Sequence, residues 1–194
     1  MLAAEENRAD CVKALLEEAG MKNRDGWTAL MIAAMNGHLR CVELLCEKEG
    51  RIQDNDGWTA LMSAASSGHI DCASALLERE AGILDSNGLT ALMKEAKAGR
   101  DKCLEVLIGK ERGLIDNDGH TALYHALAAL DPQHDKCFQI LDRIPEERAT
   151  KDYDIVQAVK KGCACGGTED LFEAARRGCC HCCWRLIDSA GRRD

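Results

Sequence analysis

The chain's 194 residues leave room for one ordinary domain, and its 33 acidic against 25 basic residues give a formal charge of −8. That balance disfavours a surface tracking a phosphate backbone, and no Lys/Arg stripe interleaved with aromatics appears, so nucleic acid is not an expected partner. No apolar run approaches the roughly 18 to 20 residues that span a bilayer, and no basic-then-apolar leader opens the chain, so the sequence reads as soluble, with no membrane insertion, and not secreted.

What recurs along the chain decides how the elements are read. DGWTALM at Asp25 to Met31 returns at Asp56 to Met62, as NGLTALM at Asn87 to Met93 and as DGHTALY at Asp118 to Tyr124, a period of 31 residues. Self-similarity of this size means stacked copies of one supersecondary unit, none of which buries its apolar face alone. Met1-Leu2-Ala3-Ala4 then aligns with the middle of a first helix, as Met31-Ile32-Ala33-Ala34 does, and opens a truncated unit. Full units start near 25, 56, 87 and 118.

The 56 unit shows the plan. Thr59 before ALMSAASSGH is an N-cap signal for a short first helix that Gly68 closes. In IDCASALLERE, Ile70, Cys72, Ala73, Leu76 and Leu77 fall at helical spacing and give a second, antiparallel helix. Between units, Asn-Gly or Asp-Gly supplies the positive-φ residue of a tight turn. In the 87 unit Glu95 replaces the first alanine of the pair seen at Ala33-Ala34 and Ala64-Ala65; it is either exposed at the seam or leaves a looser interface. The 118 unit lacks Gly-His, carries Leu130-Asp131-Pro132, and has its cysteine 34 residues after Cys103, so its inter-helix turn is longer by about one helical turn.

Residues 142–167, with Pro145, PEER and YDIVQAVKKG, read as a degenerate unit or linker. A clear first helix capped by Thr168 follows, then CCHCCWRLID as a second helix, so 168–194 is a C-terminal unit. Arg192-Arg193-Asp194 aligns with Asn23-Arg24-Asp25, just before another turn. A chain cut in mid-repeat at one end and poised for a turn at the other reads as a fragment of a longer array or a truncated gene product.

Twelve cysteines could suggest a disulfide framework. Six of them, Cys11, Cys41, Cys72, Cys103, Cys137 and Cys182, fill one repeat column, each followed four residues later by a leucine on the same helix face. They read as small core hydrophobes, because equivalent residues of neighbouring units lie about 10 Å apart, beyond disulfide reach. Unpaired thiols in this number imply a reducing compartment, most simply the cytoplasm.

The recurring turn, Thr cap, Ala-Ala pair, Gly and Leu-Leu resemble the ankyrin repeat, among which the chain is most similar to long protist arrays with WTALM units. The resemblance covers residues 1–141 and resumes at 168–188, and implies an all-α ankyrin-repeat solenoid of stacked helix-turn-helix units joined by β-turn loops. Ala29, Ala60, Ala91 and Ala122 stand where the family has Pro, and Met31, Met62, Met93 and Tyr124 where it has His, so the family's Thr-to-His hydrogen bonding is not expected. His38 and His69 stand where the family hydrogen-bonds backbone with histidine.

Little chemistry competes with that reading. Cys163-x-Cys165 and the run Cys179-Cys180-His181-Cys182-Cys183 supply enough soft ligands for tetrahedral zinc, with Cys163, Cys165, Cys179 and Cys180 as the candidates. Their spacing departs from paired C-x2-4-C, and Cys182 and Cys183 coincide with core columns, so ordinary thiols are favoured and no metal or cofactor is expected. His125 falls in a column with Ile32 and Ser63 and reads as packing. Phosphate-cradling, nucleophile-elbow and HExxH motifs are absent from the sequence, so no enzyme is expected.

In the family that the chain resembles, the residue before each Thr lies at the base of the turn on the concave side. With the residues ending the first helix it forms the partner-binding face. Here those positions are Trp27, Trp58, Leu89 and His120, with Met35, Asn36, Ser66, Ser67, Lys97, Ala98, Arg176 and Arg177. Two successive tryptophans suit a protein hot spot, and equally suit packing on the preceding turn. The leading expectation is a non-catalytic scaffold or adaptor, monomeric or part of a longer array, binding a protein partner. The alternatives are a regulatory region of a larger enzyme such as a protein kinase, and a metal-binding module at the C-terminal cysteines.

Overall fold

The computed structural model describes residues 1–128 and 134–148, and every structural statement below concerns these. Each full unit is an antiparallel helix pair preceded by a turn, and no strand occurs among the described residues. The opening unit holds α1 (Leu2–Glu5) and α2 (Ala9–Ala14), the 25 unit α3 (Ala29–Met35) and α4 (Leu39–Glu49), and the 56 unit α5 (Ala60–Ser66) and α6 (Ile70–Glu80). The 87 unit holds α7 (Ala91–Lys97) and α8 (Leu104–Glu111). The 118 unit holds α9 (Ala122–Ala128) and α10 (Asp135–Leu141), with a short α11 (Pro145–Arg148) after it. First helices stack on first helices and second on second, so the core is a ribbon between two rows.

Thr28, Thr59 and Thr90 start their first helices as the sequence suggests: each hydroxyl accepts from the N–H three residues on, at 3.3 to 3.4 Å. A second device was not visible in the repeat pattern. Glu49, Glu80 and Glu111, at the ends of second helices and again 31 residues apart, are buried. Each gives one carboxylate oxygen to the N–H of Leu30, Leu61 or Leu92 at 2.7 Å, inside its own unit's first helix. The other oxygen accepts from the preceding unit's chain, at Gly20, Arg51 or Gly82. Thr59 and Thr90 hydroxyls also hydrogen-bond Glu80 and Glu111, so the Thr donor that the family sends to His goes here to a carboxylate. One side chain thus caps a helix and ties two units together. Glu147 does the same for Leu123 of the 118 unit and Gly113 of the 87 unit, so the chain beyond 141 still packs onto these units as far as this residue.

The turns interlock as well. The Asn55 N–H donates to the Asp25 carbonyl and the Ser86 N–H to the Asp56 carbonyl. Gly57 has φ +80°, and a Cβ there would meet the Ser86 nitrogen at 2.5 Å; the glycine is needed both for the turn and for the neighbour's close approach.

Cys41, Cys72, Cys103 and Cys137 are buried in the core, but Cys11 is exposed, against the expectation that it joins them. Leu15 is likewise 48% exposed where Leu45 is 3%. Both belong to the outermost described unit, and the column is buried only where a preceding unit covers it. Glu95 corrects a second expectation: it is buried at the seam, not exposed there, and Arg100 engages both of its oxygens at 2.7 and 3.0 Å. The looser alternative fits, since α7 meets α5 over a smaller contact than α5 makes with α3. Ile70 is also largely exposed, at the start of α6. The longer turn expected around Leu130 to Pro132, the remainder of the 142–167 segment and the 168–194 unit lie outside the described residues.

Candidate partner-binding face

The position before each Thr is held by the turn itself. Asn23, Asp54, Asp85 and Asp116 each open a turn, and their Oδ1 atoms accept from the N–H groups two and four residues on, at 2.7 to 3.0 Å. Their own N–H groups donate to the carbonyls of Trp27, Trp58, Leu89 and His120. The backbone is thereby the same in every unit, while the side chains it presents differ.

Trp27 and Trp58 are half-buried and pack on the core ribbon. The Lys94 Nζ sits 4.1 Å from the centre of the Trp58 ring and pairs with the buried carboxylate of Asp85. One unit earlier, Ser63 fills the Lys94 column and its hydroxyl donates to the Thr59 carbonyl. Leu89 is only 7% exposed and offers little to a partner. His120 lies flat on Tyr124, ring centres 3.7 Å apart. His125, expected only to pack, also hydrogen-bonds Asp116 at 2.8 Å.

At the first-helix ends, Met35 is 37% exposed, Asn36, Ser67, Lys97 and Ala98 are exposed, and Ser66 is half-buried. The Asn36 amide and Ser66 hydroxyl are tied to carbonyls one turn back. Below them, His38 Nε2 donates to the Glu5 carbonyl and His134 Nε2 to the Lys97 carbonyl, both at 2.9 Å. The His38 reading is thus realised, and His134 fills the same column three residues before its cysteine. Arg100 occupies that column in the 87 unit, which is why it reaches Glu95. Arg176 and Arg177 lie outside the described residues.

Charge and titration show no poised nucleophile here. Burial pushes the Cys41, Cys46 and Cys72 thiols up, and those of Cys103 and Cys137 to about 11, so they stay protonated at neutral pH. Burial holds His125 below the ordinary histidine range, outweighing its Asp116 partner. Burial would raise Asp85 and Asp116, but hydrogen bonds, from Lys94 and Leu89 in one case and His120 and His125 in the other, hold both below the usual carboxylate range. Asp116, Asp118 and His120 bring three ligand atoms within 4.8 Å of one another, yet both Asp116 oxygens already have donors. Cys163, Cys165, Cys179 and Cys180 lie outside the described residues. No described helix is long and apolar enough to cross a membrane.

The family model for ankyrin repeats (3 copies) matches residues 1–85 and 78–144. No curated protein matches the chain.

Proposed function

The chain belongs to the ankyrin-repeat family, and from that footing we propose that it is a non-catalytic scaffold or adaptor binding a protein partner. The binding face runs through Trp27, Trp58 and His120 at the turn bases and Met35, Asn36, Ser66, Ser67 and Lys97 at the first-helix ends. Family members are generally protein-interaction modules and typically lack catalytic activity. One observation carries the assignment to this face. Neighbouring columns repeat Thr, Leu and Met and are buried, whereas the helix-end column changes from Met35-Asn36 to Ser66-Ser67 to Lys97-Ala98 and is largely exposed on an unchanging backbone. Rigid presentation of varied side chains is what selective binding needs, since little ordering entropy is lost on association. Leu89 contributes packing within this face. The unpaired thiols support a cytoplasmic location.

Affinity capture from the native cell after cross-linking, with the intact chain and with Trp27→Ala/Trp58→Ala, tests the reading. Circular dichroism checks that both fold. Loss of specific partners from the variant is expected; the same partners at the same recovery would overturn it.

A further inference from the structure

From α3 onward the charges of this chain are segregated by row. In a protein of net charge −8, the first helices from α3 on carry no exposed carboxylate among the described residues: α3, α5 and α9 hold no acid at all, Glu95 of α7 is buried against Arg100, and the row's one exposed acid is Glu5 at the end of α1. Beyond the opening unit the exposed acids sit on second helices and turns, as with Glu43, Glu47, Asp71, Glu78 and Asp56. Of the two α7 lysines, Lys94 is committed to Asp85 and the Trp58 ring. Lys97 is exposed and forms no ion pair among the described residues.

Along the row the chemistry changes in one direction. Ile32 and Met35 share a face of α3, being three residues apart; Met35 is exposed and Ile32 half-buried. Ser66 at the end of α5 and Ser67 just after it follow, small enough for a passing backbone to come close. Lys97 closes the series on α7. We infer that this row takes an extended acidic segment of a protein partner, one apolar side chain on Ile32 and Met35 and a carboxylate on Lys97. The inference rests on the protein-binding reading and adds the chemistry of what is bound. Stacked helices stand about 8 to 10 Å apart, so two steps cover roughly 16 to 20 Å, the span of about five or six extended residues. The acidic second helices and turns repel such a segment, and Glu5 on α1 repels its carboxylate from the Met35 end, which favours the stretch from α3 to α7 with the acid at Lys97.

Selection of a phage-displayed library of random twelve-residue peptides against the whole chain tests this. The expected consensus pairs an apolar residue with Asp or Glu five or six positions away. Binding of the synthetic best peptide should weaken about fivefold or more in Lys97→Glu and in Met35→Ser, and stay unchanged in Lys48→Glu on α4. Replacing the peptide carboxylate by lysine should restore binding to Lys97→Glu. No enriched peptide, a consensus without acids, or indifference to Lys97→Glu would overturn the inference. Acid-free peptides that are lost in Trp27→Ala/Trp58→Ala would overturn it while leaving the protein-binding reading standing.

Discussion

The 56 and 87 units share one backbone plan and differ in how their seams are filled. In the 56 unit the seam positions are Ser63, Ala64 and His69; in the 87 unit the same positions hold Lys94, Glu95 and Arg100. The three charges do not act alone. Lys94 pairs with Asp85 and covers Trp58, while Arg100 holds both oxygens of Glu95. A buried carboxylate replaces alanine where an arginine replaces histidine, so the exchange is reciprocal. A repeat seam therefore accepts charge when its partner arrives from a column already at hand, and the unit gives up some packing against α5 in return.

The largest expected effect should not distinguish the two units. Leu76→Ala and Leu107→Ala each remove a fully buried leucine of the same column and should each cost roughly 2 to 5 kcal/mol in urea unfolding. A clear difference between them would show that the polar exchange reaches into the apolar ribbon. Next comes Arg100→Ala, which leaves Glu95 buried without its partner. Loss of a fully buried partner costs about 3 to 5 kcal/mol, and the partial exposure of Arg100 reduces the expectation to about 2 kcal/mol. The double variant Glu95→Ala/Arg100→His rebuilds the 56 unit's seam and should return to within about 1 kcal/mol of wild type. If it is no better than Arg100→Ala, the two exchanges are not coupled. Lys94→Ser, again the 56 unit's residue, should cost about 1 to 2 kcal/mol and alter Trp58 fluorescence, through the lost ion pair and cation–π contact.

The 31-residue echo made the helix pairs, Thr caps and the cysteine column legible, because each has its own spacing within the unit. It could not expose Cys11 or Leu15, whose burial depends on a neighbour rather than on their column. Glu49, Glu80 and Glu111 repeat as regularly as the tryptophans, yet a glutamate near a helix end reads as solvated. Their burial comes from their own unit's first helix and the preceding unit's chain, whose N–H groups close over them. Arg100 was in plain view three residues before Cys103, and aligning that column with His38, His69 and His134 is the signal that would have joined it to Glu95. The candidate face was legible as positions. That Lys94 shields Trp58 while Leu89 sinks into the core is set by contacts between units, which spacing alone does not report.

The smallest expected effect concerns the device that both units share. Burial raises Glu80 above its ordinary value of 4.5, outweighing the hydrogen bonds from Leu61, Arg51 and Thr59, and Glu111 is raised in the same way. A carboxyl with a raised folded-state pKa binds its proton more readily folded than unfolded. Its contribution is therefore fully present below the unfolded value and is lost as pH rises through the folded one. Glu80→Gln removes that linkage, so the gap, taken as wild-type stability minus that of the variant, should rise as pH falls from 8 to about 4.5. Asp85 and Asp116, held low, contribute oppositely, losing stability as pH falls below their ordinary value of 3.8. They remain in both proteins and cancel in the difference, as does His125. Urea midpoints at several pH values measure the gap. A gap that falls on acidification would mean that the Glu80 carboxylate is stabilised by its three donors more than burial penalises it, and that the glutamate column works as a chain of fixed anions.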